Sequence, residues 1–480
     1  MSKVAIMKEI NSAVEDVPVH LDTPKLSFEV DDRFNRKDLA EKLTEAICKF
    51  SPFYDDSYVL SLNAPFGSGK STFIEMWQNM LQEEQGMECI YLNAWEHDFD
   101  DEPIVPILST LLAAMPNKGI DLRSAFFGAM ASTTNDLIAH KLGVDVKKVI
   151  KEAGEAGDIN SVGAEIYKGY HFKKEAFKKL RESLTDFVES LDKRPLVIFV
   201  DELDRARPDY SIRFLETIKH MFPVQGICFV LSVDKGQLEK SVAQVYGDID
   251  FKNYYLRFAT NEVSLPELAQ VDLKPFLRDL RQEYIDEKRQ SGIKYPFKEN
   301  DEHQINEFIA DIAKGLELKP REIQKLYRRF SQFMAISENE DKLALVNWVQ
   351  AAVLLVALSI VNPSMYHQVG KNLVQPEDFT NFIKGKPFFD YSGERNDEWV
   401  LRIGLAFSMT NNEERNLRIA NLAMPLFGYE DPNGKEGEDQ LRAEVLRYLS
   451  EHVDRWRFRP NSTSAFSTIY TRLESWSPFL

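Results

Sequence analysis

Gly67, Gly69, Lys70 and Ser71 lie in the run APFGSGKST, which spans 64–72. Those residue types at that spacing suit a bound phosphate. The backbone N–H groups of a glycine-bearing turn can converge on an anion, and a helix N-terminus behind them adds positive potential. Gly67 and Gly69 give the turn its conformational freedom. Lys70 offers a point charge to β- and γ-phosphates, and the Ser71 hydroxyl is a hard donor for Mg2+. The candidate cradle is Pro65, Phe66, Gly67, Ser68, Gly69, Lys70, Ser71 and Thr72. The usual pattern, G-x-x-x-x-G-K-[ST], begins with glycine where this chain has Ala64. Alanine costs little there at negative φ and is strained at positive φ. The sequence leaves that choice open.

A second set of charged residues lies further along. The run LVIFVDEL ends on Asp201, Glu202 and Leu203. Asp201 is a candidate to bind Mg2+ directly or through water. Glu202 is a candidate general base that polarises an attacking water; its alternative is a solvated carboxylate capping the next helix. Asp204 and Arg205 either form an ion pair or meet a partner subunit. In FVLSVDKGQL, Ser232 or Asp234 is a candidate neighbour of the γ-phosphate, and an ordinary helix N-cap is the alternative for Asp234. Arg257 and Arg321 are candidate cations for charge developing on that phosphate. His97 and His171 are isolated. No H-E-x-x-H, G-x-S-x-G or paired Cys/His pattern points to a second chemistry.

The hydrophobic pattern supplies the elements that must hold these residues. The apolar run YVLSL leads into the loop and the amphipathic stretch STFIEMWQNML leads out, so the loop joins a strand to a helix. MECIYLNAWEHDF predicts a second strand. PLVIFVD and GICFVLSV are continuous apolar runs of the kind buried on both faces of a parallel sheet. Their alternation with helical stretches predicts an α/β fold, a parallel sheet with helices on both faces and its site at the strand ends. Residues 1–26 read as a lead, 27–265 as the α/β core, 266–335 as a helical lid and 336–480 as an all-α C-terminal region. LSFEV suggests a short strand ahead of a helix near Arg36 to Phe50. Residues 103–174 read as a helical insertion that ends in a Gly-rich polar loop, EAGEAGDINSVGAEIYKG, before a long helix near Lys173 to Ser190. Strands are expected to stop after about Leu265.

The 480 residues carry 59 Lys and Arg against 76 Asp and Glu, a net charge of −17. That balance argues against a protein that coats nucleic acid. Local clusters in RPDYSIRF and KPREIQKLYRRF keep a nucleic-acid motor or clamp in view. Cys48, Cys89 and Cys228 have neither metal nor disulfide spacing, so reduced thiols in the cytosol are expected. No signal peptide is expected at the start. The uncharged stretch 343–361 is long enough to span a bilayer, but its Asn347, Gln350 and Ser359 favour a buried core helix. A cytoplasmic protein without membrane attachment is the resulting expectation.

Together, APFGSGKST, YLNAWEHDF, VIFVDELDR, FVLSVDKGQL and YYLRFATNEVSLP resemble the KAP family of P-loop NTPases, over about Leu26 to Phe330. That family includes bacterial phage-exclusion proteins and animal membrane-associated scaffolds. The resemblance implies ATP and Mg2+ as ligands, with binding and hydrolysis coupled to assembly or signalling in a homo-oligomer or with a partner protein. It implies the phosphate, metal and base roles above for Lys70, Ser71, Asp201 and Glu202. It also implies a place near the site for Asn93 and Trp95, a family basic residue in Arg257, and a sensor-2-like helix bearing Arg321. Three features depart from the pattern. Ala64 replaces the first glycine, and D-E-L-D stands where many members have two aspartates. PIVPILSTLLAAMP is too short for the paired transmembrane helices that many members carry. Three functions stand open from sequence: an ATP-driven switch, with anti-phage defence by resemblance; a scaffold stabilised by ATP without hydrolysis; and the nucleic-acid motor or clamp.

Overall fold

Strands form where β-branched and aromatic residues run together and, in one case, by pairing alone. In the computed structural model they are β1 (Tyr58–Asn63), β2 (Cys89–Asn93), β3 (Leu196–Asp201), β4 (Ile227–Val233) and β5 (Asn261–Ser264). The structure describes residues 26–114, 159–266, 273–293, 302–337, 346–371, 373, 382 and 465–476. The lead before residue 26 and most of the expected insertion lie outside the described residues. Two compact units divide the chain, Met1–Leu265 and Pro266–Leu480.

In the first unit all strand pairs are parallel, in the order β2-β3-β4-β1-β5. The twofold alternation of a strand sorts its side chains onto two faces. Tyr58, Leu60, Leu62, Val197, Phe199, Cys228 and Val230 face one core, which α1 (Lys37–Phe50) and α2 (Lys70–Asn79) cover. Val59, Ile90, Leu92, Ile198, Val200, Phe229 and Leu231 face the other core. Residues of α3 (Ile104–Ala114), α4 (Ile159–Glu189), α5 (Pro208–Met221) and α6 (Lys235–Tyr246) complete that second layer. The short α7 (Phe251–Tyr255) adds two aromatic rings to it. On α4 the buried positions Phe177, Leu180, Leu184, Phe187 and Val188 recur at helical spacing, which is the stripe a helix needs to lie on a sheet.

Helix α2 is held tightly because it carries the glycine loop. Its Trp77 is fully buried, packs edge-on against Phe199 of β3 at 5.2 Å, and donates from Nε1 to Thr44 Oγ1 of α1 at 2.9 Å. One side chain thus joins α1, α2 and the sheet.

Three local readings are corrected. LSFEV forms turns rather than a strand, and Phe28 packs there against Phe73, ring centroids 6.0 Å apart. α4 begins at Ile159, inside the stretch expected to be a loop, so the helix overrides its glycine. The fifth strand, β5, is short and polar and gave no hydrophobic signal. It forms by pairing along β1, from Leu60↔Asn261 to Asn63↔Ser264.

The described part of the second unit contains only helices: α8 (Lys274–Arg281), α9 (Glu287–Gln290), α10 (Glu302–Gly315), α11 (Pro320–Ile336), α12 (Val346–Val361), α13 (Pro363–Gly370) and α14 (Ala465–Trp476). α12 is apolar on all sides, and Ala351 through Leu358 are buried. It packs against α10, α11, α13 and α14, which is how a helix without a polar face is accommodated. Among the described residues no helix is long and apolar enough to cross a membrane.

Candidate nucleotide site

The site grows from the C-terminal ends of β1, β3 and β4. β1 stops at Asn63, whose Oδ1 accepts from Lys235 N–H at 3.1 Å. Ala64 follows, buried, with its N–H donating to the Val233 carbonyl at 3.1 Å. Among described non-glycine residues, positive φ occurs only at Asn35, Glu202 and Glu317. Ala64 is therefore unstrained, which settles the question left by its type. The turn itself needs its glycines, with Gly67 at φ 80° and Gly69 at φ 85°. Gly69 is the N-cap of α2, so Lys70 is the first helical residue. Ser71 and Thr72 are exposed in the first turn.

Lys70 Nζ donates to the Ala64 carbonyl at 2.5 Å, folding the ammonium back over its own loop. Burial lowers its pKa. Four carboxylates oppose that shift: Asp204, Asp234, Asp201 and Glu202. These acids come from the ends of two different strands, and Lys70 is the cation they share.

Asp234 is anchored at both oxygens. Oδ1 accepts from Gln237 N–H at 3.3 Å and caps α6, while Oδ2 accepts from Phe66 N–H at 3.1 Å. The helix cap weighed from sequence for Asp234 is therefore made, and the same side chain also holds the phosphate loop. Ser232, its neighbour, is buried and donates to Asp201 Oδ1 at 2.6 Å. Asp201 Oδ1 also accepts from Glu202 N–H at 2.9 Å, and Oδ2 accepts from the Tyr91 hydroxyl at 3.4 Å.

Glu202 departs from ordinary backbone geometry, with φ at 60°. Its carboxylate pairs with Arg205. Burial raises its pKa, with Asp201 adding to the rise and Arg205 opposing it. The Arg205 guanidinium lies 4.0 Å from the Phe66 ring centroid and 5.8 Å from that of Trp95. Of the two roles weighed for Arg205, the chain itself supplies the ion pair, though with Glu202 rather than Asp204. Asn93 ends β2 in a tight turn, its Oδ1 accepting from Trp95 N–H at 3.1 Å and Glu96 N–H at 3.4 Å. This turn brings Trp95 beside Arg205.

A family model described as the KAP family P-loop domain matches residues 36–336. The chain belongs to the KAP family of P-loop NTPases. Its ligand class is accordingly a nucleotide. No curated protein matches the chain. Among solved structures it is similar to the ORC2 protein of Aeropyrum pernix in ADPNP and ADP complexes, at 13% identity over 90% of this chain and 88% of that one, with a TM-score of 0.35. It is similar to Cdc6p from Pyrobaculum aerophilum at 12% identity over 97% and 98% of the two chains, with a TM-score of 0.31. Likenesses this slight bear on neither fold nor function.

The KAP fold gathers Pro65 to Thr72, Asp201, Glu202 and Asp234 at the C-terminal ends of the inner strands. Arg257 is elsewhere. It lines a cavity with Tyr54, Asp56 and Val59, at the N-terminal end of β1, away from the chain's own loop. Arg321 belongs to the second unit, exposed in the first turn of α11. Sequence reasoning missed Tyr91, which looks like any exposed strand aromatic. It also missed Arg36, whose position before α1 carried no motif.

Asp204 gives a direct check on the charge arrangement of the KAP site. Burial raises its pKa above the usual 3.8 although Lys70 opposes the rise. The folded state therefore favours the neutral acid, and holding it ionised at neutral pH costs stability. Asp204→Asn is expected to raise the thermal midpoint at neutral pH, with the gain shrinking as the pH falls toward 3.8. A lower midpoint at neutral pH would contradict this.

Proposed function

We propose that this protein binds and hydrolyses ATP, and that its nucleotide state sets the arrangement of its helical region within an oligomer or against a partner protein. The observation that carries this reading is the position of Lys70. It opens α2 behind a glycine loop and faces carboxylates from two other strand ends, including a candidate base. ATP is preferred to GTP through the family resemblance, and no N-K-x-D guanine motif is present in the sequence. A cytoplasmic location is proposed with it.

The roles follow from chemistry and placement. The loop N–H groups and Lys70 bind the β- and γ-phosphates. Glu202 orients a water for attack, its pKa raised by burial so that it is a stronger base than an exposed glutamate. Ser71 and Asp201 would hold Mg2+. The fit is good because both offer hard oxygens, and Mg2+ keeps several waters and uses few side chains. Among the described residues no group of three or more His, Cys, Asp and Glu stands ready to hold a metal. When bound, the metal would neutralise charge on the phosphates.

Two contacts support a second, scaffold-like reading. The Glu202 carboxylate is paired with Arg205, and Lys70 is bonded to its own loop. Hydrolysis would then be slow until a partner frees the base.

Phosphate release and nucleotide binding, measured side by side, separate the readings. Glu202→Gln is expected to cut turnover by about 10²–10⁴-fold with binding kept, and Lys70→Ala to abolish both. Binding without turnover in the wild type would favour the scaffold. Arg257 lies at the far end of the sheet, so it is proposed to serve a neighbouring copy's γ-phosphate. Arg257→Ala should then lower turnover by roughly 10³-fold with binding intact, and unchanged turnover would end that role. For a role in phage exclusion, which the family suggests, cells carrying the intact gene should survive infection better than cells carrying Lys70→Ala. Equal survival would remove it.

A further inference from the structure

A buried guanidinium sits behind the phosphate loop. Arg36 precedes α1 and is only 3% exposed. Its Nη1 donates to the Ser68 carbonyl at 3.1 Å and to the Gly69 carbonyl at 3.5 Å. The charge centre lies 5.0 Å from the Phe34 ring centroid. The approach is fixed by Asp32, whose carboxylate accepts from the N–H groups of Arg36 and Lys37, each at 2.9 Å. Burial pulls the Arg36 pKa down to about 10, with the Asp32 charge opposing, so the group is still a cation at neutral pH. Burying a cation is costly unless strong hydrogen bonds compensate. Here the fold directs that cation at two consecutive peptide carbonyls of the loop.

Peptide geometry shows what the contact achieves. In a trans peptide the C=O and the next N–H point in opposite directions. Turning the Ser68 and Gly69 carbonyls toward Arg36 therefore turns the N–H groups of Gly69 and Lys70 away from it. Those amides begin α2, have no acceptor within their own helix, and are the donors a bound anion meets. The Gly69 carbonyl also accepts the Phe73 N–H at 3.1 Å, the first bond of α2, so Arg36 shares the hold on that peptide. Glycines at 67 and 69 let the Ser68 peptide rotate with little penalty unless a donor such as Arg36 holds it. The fit is close: a Cβ on residue 69 would lie 3.3 Å from Arg36 Nη1.

We propose that Arg36 is a positioning residue for phosphate binding, which sets the two peptide planes whose N–H groups face the β-phosphate and does not touch the nucleotide itself. This rests on the nucleotide-binding reading above. The test is titration of ADP and ATP into the full chain, wild type beside Arg36→Met and Arg36→Lys, with circular dichroism to establish folding. Folded Arg36→Met should bind both nucleotides about tenfold more weakly, and Arg36→Lys should lose less. The ratio of ADP to ATP affinity should hold, because both carry the β-phosphate. In turnover, KM should rise by the same factor while kcat stays within about twofold, the signature of lost uniform binding. Unchanged affinity, a loss confined to ATP, or a fall in kcat at constant KM would each overturn the proposal. If Arg36→Met does not fold, Arg36→Lys decides, since it keeps the charge but not the fork of donors. If neither folds, Arg36 is a structural residue and the proposal fails. A wild type that binds neither nucleotide would remove the nucleotide reading itself, and this role with it.

Discussion

The hydrogen bond from Ser232 Oγ to Asp201 Oδ1, 2.6 Å long and buried, joins two strand ends that the site cannot use separately. The strand order puts β4 between β1, which feeds the phosphate loop, and β3, which ends in the acids. In the sheet, loop and acids are therefore set relative to one another through β4. Its end supplies each link in turn. The Val233 carbonyl receives Ala64 N–H, Asp234 receives Phe66 N–H, and Ser232 reaches across to Asp201. Parallel strands release unpaired backbone groups at their ends, and those groups need partners when they are buried. In this protein those partners double as the registration of the site.

That registration brings like charges together. Asp201, Glu202, Asp204 and Asp234 crowd around Lys70, and burial raises the pKa of both Glu202 and Asp204. Glu202 is also held in a left-handed backbone conformation, which costs roughly 1–2 kcal/mol for an L residue. Such strain persists only where the surroundings over-determine it. The clamp is visible: Asp201 accepts the Glu202 N–H, and Arg205 holds the carboxylate while lying over the ring of Phe66. The carboxylate proposed as base and the loop are thus in contact through one guanidinium.

Much of this was legible from residue types because the features involved are local. Continuous apolar runs marked β1, β3 and β4, and the glycine spacing marked the turn. Both signals arise from a few adjacent residues. What the sequence could not show depends on distant contacts. β5 has no apolar pattern, since pairing with β1 makes it a strand. Phe28 looked like part of a strand, yet its burial against Phe73 leaves it in a turn. Arg36 marked only the approximate start of a helix. Its role as a buried donor depends on a loop more than thirty residues away. The φ of Ala64 and the double use of Asp234 were likewise tertiary facts. Arg257 drew attention through its type, while the topology places it at the wrong end of β1 to meet its own loop.

The outer strand β5 has a consequence for how copies of this chain can meet. A sheet edge is a ready template for another chain's strand, and natural proteins blunt such edges with short, polar or charged segments. β5 has four residues, three of them exposed, and its Glu262 is tied to Lys235 at 2.6 Å. At the opposite edge, α3 packs against β2. Short and polar, the β5 edge therefore does not invite the sheet to grow by adding strands. Open-ended β-stacking through β5 is thereby disfavoured, so any association of copies would have to use other surfaces, which can part again without breaking a ladder of main-chain bonds.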